Sequence, residues 1–137
     1  MSEQKHLLLV EDDASIRDLL AAVARRTGHE TTSASNGGEA IELLAQRKFC
    51  AVVLDLMMPG VSGYDVVVHI REKKLSVPVV VVTAAIRSIE WVRLPKDIVV
   101  AVLTKPFEIE KLISAIESAC ASHGRHARPS APEVRST

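Results

Sequence analysis

Four short stretches carry side chains able to do chemistry. They are Glu11, Asp12 and Asp13 in "VEDDAS", Asp55 in "VVLDLMMPG", Thr83 in "VVVVTAA" and Lys105–Pro106 in "VLTKPF". Each follows an apolar run. Clustered carboxylates beside water suit Mg²⁺, which takes oxygen ligands and keeps several waters. A carboxylate can also be the nucleophile and form an acyl phosphate. A bound cation and a lysine stabilise charge on a transferred phosphoryl group, and a threonine hydroxyl donates to one of its oxygens. Taken singly, each residue has a plainer reading. The acidic run is a charge cluster favoured at a helix N-terminus, Thr83 is a β-branched strand residue or a cap, and Lys105 is a surface lysine. Their positions argue for more. A carboxylate at the lip of an apolar strand is costly without a partner. For Asp55 the candidate partners are Lys105 and a cation shared with the first acids.

The elements that must position these groups alternate along the chain. Residues 6–10, 50–55, 77–83 and 97–104 are apolar strand candidates, and the Thr-rich 29–34 reads as an edge strand. Between them apolar residues recur at helical spacing: Ile16, Leu19, Leu20 and Val23; Ile41, Leu44 and Ala45; Gly63, Val66, Val67 and Ile70; and lastly Ile109, Leu112, Ile113, Ile116 and Cys120. Ser15 with Asp18 resembles a capping box, and Gly28 is a helix stop. Residues 84–94 form a weaker helix candidate that must end near Pro95. Continuous Val/Leu/Ile strands imply burial on both faces, and the βα rhythm implies a parallel sheet with helices on both sides. Ligands of such sheets bind outside the carboxyl ends of the strands, the edge where all four stretches lie.

Composition narrows the function. Lys plus Arg and Asp plus Glu are both 17, which argues against a dedicated nucleic-acid binder. The start is too short in apolar residues for a signal peptide, and no run approaches a membrane span, so a cytoplasmic location is expected. Cys50 and Cys120 read as small core residues rather than a disulfide framework. His6, His29, His69, His123 and His126 have no metal-ligand spacing, and "SNGG" is not a phosphate loop.

Over residues 6 to 121 the chain resembles a receiver (response-regulator) domain of two-component phosphorelay signalling. "LLLVEDDASIRDLL" is similar to the family's opening strand and acidic pair, "VVLDLMMPGVSGYDVV" to its phosphoacceptor segment, "VVVVTA" to its Ser/Thr segment and "VLTKPF" to its Lys-Pro segment. The resemblance implies a flavodoxin-like (βα)5 fold, a doubly wound parallel sheet in the order 2-1-3-4-5. It implies that Asp55 accepts the phosphoryl group. Asp12, Asp55 and the backbone carbonyl of Met57 would hold Mg²⁺, with Glu11 reaching it through water. Thr83 and Ala84 would contact the phosphoryl oxygens, Lys105 would pair with Asp55 or its phosphate, and the Lys105–Pro106 bond would be cis. Asp13 falls just past the acidic pair, as a helix-start residue.

The implied partners are a histidine kinase or a histidine phosphotransfer protein, then a downstream protein or a second copy through residues 84–121, with no direct nucleic-acid or membrane contact. The family often has an aromatic residue where this chain has Val102, so a switch through residues 84–95, reported by Trp91, is expected instead. Residues 1–121 would form the receiver and 122–137 a disordered tail or linker, the whole being a stand-alone receiver or a piece of a longer protein. Two other functions compete. A pseudo-receiver would have lost its pocket, yet the acids, Thr83 and Lys105 form a full set. A haloacid-dehalogenase-type phosphatase needs an acid two residues after its Asp nucleophile, where this chain has Met57.

Overall fold

Side chains of a strand alternate between the two faces of its sheet, and here both faces must be apolar. In the computed structural model, which describes residues 5–84 and 93–124, Leu8 and Val10 of β1 (His6–Val10) pack into one hydrophobic layer and Leu7 and Leu9 into another. The same division runs through β3 (Ala51–Leu54) and β4 (Val79–Thr83): Val52, Leu54, Val79 and Val81 face one side, Ala51, Val53, Val80 and Val82 the other. Helices α2 (Gly37–Gln46) and α3 (Gly63–Glu72) cover the first face through Ala40, Leu44, Val66, Val67 and Ile70. Helices α1 (Ala14–Arg26) and α4 (Ile109–Gly124) cover the second through Leu20, Val23, Leu112 and Ile116. Truncating one of these fully buried aliphatic side chains to Ala costs about 2–5 kcal/mol.

With β2 (Glu30–Ala34) and β5 (Val99–Thr104), the five strands form one parallel sheet in the order β2-β1-β3-β4-β5. All strand ends of one polarity therefore share an edge. We call the carboxyl-end side the exit edge and the opposite side the entry edge.

Several sequence expectations are corrected. β5 is as apolar as the central strands, but it lies at the sheet's margin, and after a register shift at Val79/Val80 its Val100 is 50% exposed. Leu19 is 42% exposed, and Ala45 and Ile109 are also exposed, because helices packed on one face turn such positions away. Helix α1 is capped by Asp13, whose carboxylate accepts from the Ile16 amide at 3.0 Å, so Ser15 lies inside the helix. The capping box belongs to Ser62 and Asp65 at the start of α3. Gly28 does end α1, with a φ of +84° that a side chain would disfavour. Helix α4 continues through Ser122 to Gly124.

The largest correction concerns Cys50 and Cys120. Both are core residues, and they are also bonded to each other, with Cα atoms 4.9 Å apart. Packing of α4 across the entry edge brings together residues 70 positions apart. The helix expected after Ala84, with Trp91, and the segment from 125 onward lie outside the described residues.

Candidate functional site

Ladder hydrogen bonds carry on past the strands and fix the backbone of the site. Glu11 N donates to the Ala34 carbonyl at 3.1 Å, Asp55 N to that of Val10 at 3.0 Å and Lys105 N to that of Thr83 at 2.7 Å. These bonds put Glu11, Asp55, Thr83 and Lys105 at neighbouring positions on the exit edge. Two further contacts anchor the loops. Arg17 Nη1 of α1 donates to the Glu11 carbonyl at 2.7 Å. Gly63 lets α3 start directly against the Asp55–Leu56 backbone, where a Cβ would come within 2.3 Å of the Asp55 carbonyl oxygen. The Pro-Gly turn hid that role of Gly63 in the sequence, where it reads only as a helix-face residue.

The side chains converge. Lys105 Nζ lies 3.0 Å from Glu11 Oε1 and 3.1 Å from Asp55 Oδ2, so one ammonium bridges two buried carboxylates. Sequence reasoning paired Lys105 with Asp55 alone. The other oxygens are also held: Glu11 Oε2 accepts from Asp13 N at 3.2 Å, and Asp55 Oδ1 accepts from Met57 N at 3.0 Å. Thr83 is buried too, and its Oγ1 makes no hydrogen bond among the described residues. Burial pushes the Glu11 carboxyl above its ordinary range; the Lys105 and Asp13 hydrogen bonds pull the other way without cancelling it, and the Asp55 charge adds to the rise. Burial opposes the Lys105 ammonium, but its hydrogen bonds to Glu11 and Asp55 and their charges outweigh that and raise its pKa.

Asp12 is exposed and completes a group of three acids, with carboxylate oxygens of Glu11, Asp12 and Asp55 all within 4.8 Å of one another. That is a hard-oxygen set, the chemistry that Mg²⁺ prefers. The Lys105–Pro106 peptide is cis. Ala84 is exposed beside Thr83. Val102 sits on β5, half-buried against the layer that includes Val79 and Val81. The Met57 side chain is 60% exposed, so an apolar group stands where a phosphatase of the competing type would need its proton donor.

Known proteins share this fold. The family model described as "Response regulator receiver domain" matches residues 7–117. The uncharacterized transcriptional regulatory protein YkoG of Bacillus subtilis is 35% identical over 123 residues, which cover 89% of this chain and 54% of that protein. The response regulator SaeR of Staphylococcus aureus is 39% identical over 79 residues, 58% of this chain and 34% of its own length. The chain thus spans about half or less of these curated relatives. Among solved structures, the receiver domain of the Francisella response regulator 1452 superposes with a TM-score of 0.79 at 26% identity, covering 85% of this chain and 97% of that one. The response regulator TrrA of Thermotoga maritima, in complex with Mg²⁺–BeF, gives 0.75 at 30% identity over 84% of this chain and 98% of its own.

Proposed function

Because the chain belongs to the response regulator receiver domain family, we propose that it is a phospho-accepting switch with Asp55 as its acceptor. The observation that carries the reading is the bridge from Lys105 to two buried carboxylates, beside a buried Thr83 hydroxyl that has no partner. A buried polar group without a partner calls for an explanation, and a phosphoryl oxygen accepting from Thr83 supplies one.

An Asp55 carboxylate oxygen attacks the phosphorus of a phosphohistidine on a kinase or phosphotransfer protein. The O–P bond forms, the P–N bond breaks, and the electron pair leaves on the imidazole nitrogen. Mg²⁺, when bound, offsets negative charge on the phosphoryl oxygens. Asp12, Asp55 and the Met57 carbonyl would hold it directly and Glu11 through water. Lys105 positions Asp55 beforehand, then pairs with the product. Thr83 donates its hydroxyl to a phosphoryl oxygen, with Ala84 beside it. Val102 is too small to swing as an aromatic ring does, so the response would pass through the chain after Ala84 and on to a downstream protein or a second copy.

Intact mass after incubation with Mg²⁺ and a small-molecule phosphodonor tests the reading. The parent should gain one phosphoryl group, and Asp55→Asn should gain none. Full labelling of that variant, or of the parent in EDTA, would remove the proposal.

A further inference from the structure

Three buried groups that phosphoryl chemistry leaves unused meet at the entry edge. Cys50 precedes β3, His29 precedes β2 and Cys120 lies in α4. A ring nitrogen of His29 and both sulfur atoms lie within 4.8 Å of one another. The surrounding hydrogen bonds assign the imidazole proton. Thr27 Oγ1 is 2.7 Å from the Ala24 carbonyl oxygen and 2.6 Å from His29 Nδ1. A hydroxyl has one proton. If it went to Nδ1, two oxygens would face each other at 2.7 Å with no proton between them. It therefore goes to the carbonyl, and the Thr27 oxygen accepts from Nδ1–H. Nε2 is left as a lone pair. Burial lowers the affinity of this ring for a second proton, Lys5 adds to that effect and Glu117 opposes it.

We propose that Cys50 and Cys120, with His29 beside them, form a reversible thiol–disulfide modification site, closed as the disulfide and opened by small thiols of the glutathione class. Both states suit the fold. The pair sits in the layer that contains Leu7, Ala51 and Ile116, where free thiols pack as small apolar groups. Opening starts at Cys120, which is 7% exposed while Cys50 is fully buried. The incoming thiolate bonds to the Cys120 sulfur, the Cys50–Cys120 bond breaks, and Cys50 leaves as a thiolate that takes up a proton. A second small thiol then attacks the small-molecule sulfur and releases Cys120. In sum, two small thiols give up two electrons and two protons and depart as their own disulfide. Closure runs in reverse. The thiolate is the attacking species, and the thiol proton is lost to solvent at Cys120, the more exposed of the two.

The test uses the full chain in glutathione buffers from fully reduced to fully oxidised. Free thiols are trapped with a maleimide after acid quench and denaturation, then counted by intact mass. The count should move from two to none as the buffer becomes oxidising, and Cys50→Ala should collect one glutathione, on Cys120. A native chain that shows no thiol in excess reduced glutathione, or two thiols in excess oxidised glutathione, would overturn the proposal. None of these readouts involves phosphorylation, so they succeed or fail separately from the acceptor role of Asp55.

Discussion

At the exit edge one ammonium serves two buried carboxylates, and the Thr83 hydroxyl beside them has no partner among the described residues. At the entry edge the polar groups around His6 are matched. His6 Nε2 hydrogen-bonds with Thr32 Oγ1 at 2.7 Å, and its Nδ1 meets Arg47 Nη2 at 3.0 Å and Glu30 Oε1 at 3.3 Å. The Arg47 guanidinium lies 5.5 Å from the centre of the Phe49 ring, and the two cysteines are joined. One sheet thus ends in two unlike environments. A satisfied polar network rigidifies its surroundings, whereas buried polar groups left short of partners are ready for a ligand that supplies the missing charge or acceptor. The cluster around His6 accordingly maintains the fold at the entry edge, and the exit edge keeps an incomplete site open for a ligand.

The largest test of this contrast is at the entry edge. Opening a disulfide between residues 70 apart should cost about 4 kcal/mol by the loop-entropy relation, read as a lower urea midpoint in reductant. A Cys50→Ala/Cys120→Ala double variant should show no further response to reductant. At the exit edge, Lys105→Met removes the ammonium that Glu11 and Asp55 share, and phosphoryl acceptance should fall about 100-fold while circular dichroism stays that of the parent. Next in size is Mg²⁺ at ten times its Kd, which should raise stability by about 1.4 kcal/mol. Asp55→Asn should reduce that gain and His6→Gln should leave it whole; equal gains in both variants would erase the distinction between the edges.

The smallest effect is in pH, and the two edges should have opposite signs. Burial lowers the pKa of His6 and of His29 below the ordinary 6.5. Their contribution is therefore complete above pH 6.5 and is lost as pH falls through the depressed values. Glu11 is raised above 4.5, so in EDTA its contribution is complete below pH 4.5 and is lost as pH rises through the elevated value. Urea midpoints of His6→Gln and Glu11→Gln, each compared with the parent, should flatten opposite limbs of the profile.

The fold was legible because its causes are local. Four apolar runs and one Thr-rich run, each followed by a turn or helix signal, state the βα rhythm directly. The exit edge was legible for a related reason: parallel strands must bring Glu11, Asp55, Thr83 and Lys105 to one side, whatever lies between them. Local pattern could not report lateral position. Val100 and its neighbours read like Val80 and its neighbours, although one run is marginal and the other central. Nor could it report long-range pairing. Cys50 and Cys120 meet only because α4 crosses the sheet, and the two-carboxylate bridge of Lys105 needed distances that spacing does not contain.

The bond between Cys50 and Cys120 also divides the chain into a covalent ring and two open arms. Asp55, Thr83 and Lys105 lie inside the ring, and Glu11 and Asp12 lie on the N-terminal arm. A protease that cuts once between the two cysteines leaves both pieces joined, with Asp55, Thr83 and Lys105 still on one molecule. A single cut between Asp12 and Cys50 leaves the acidic pair held by packing and hydrogen bonds alone. The same number of nicks therefore has unequal consequences: on a non-reducing gel the first product runs as one band and the second as two, and only the second can lose Glu11 and Asp12 by dilution.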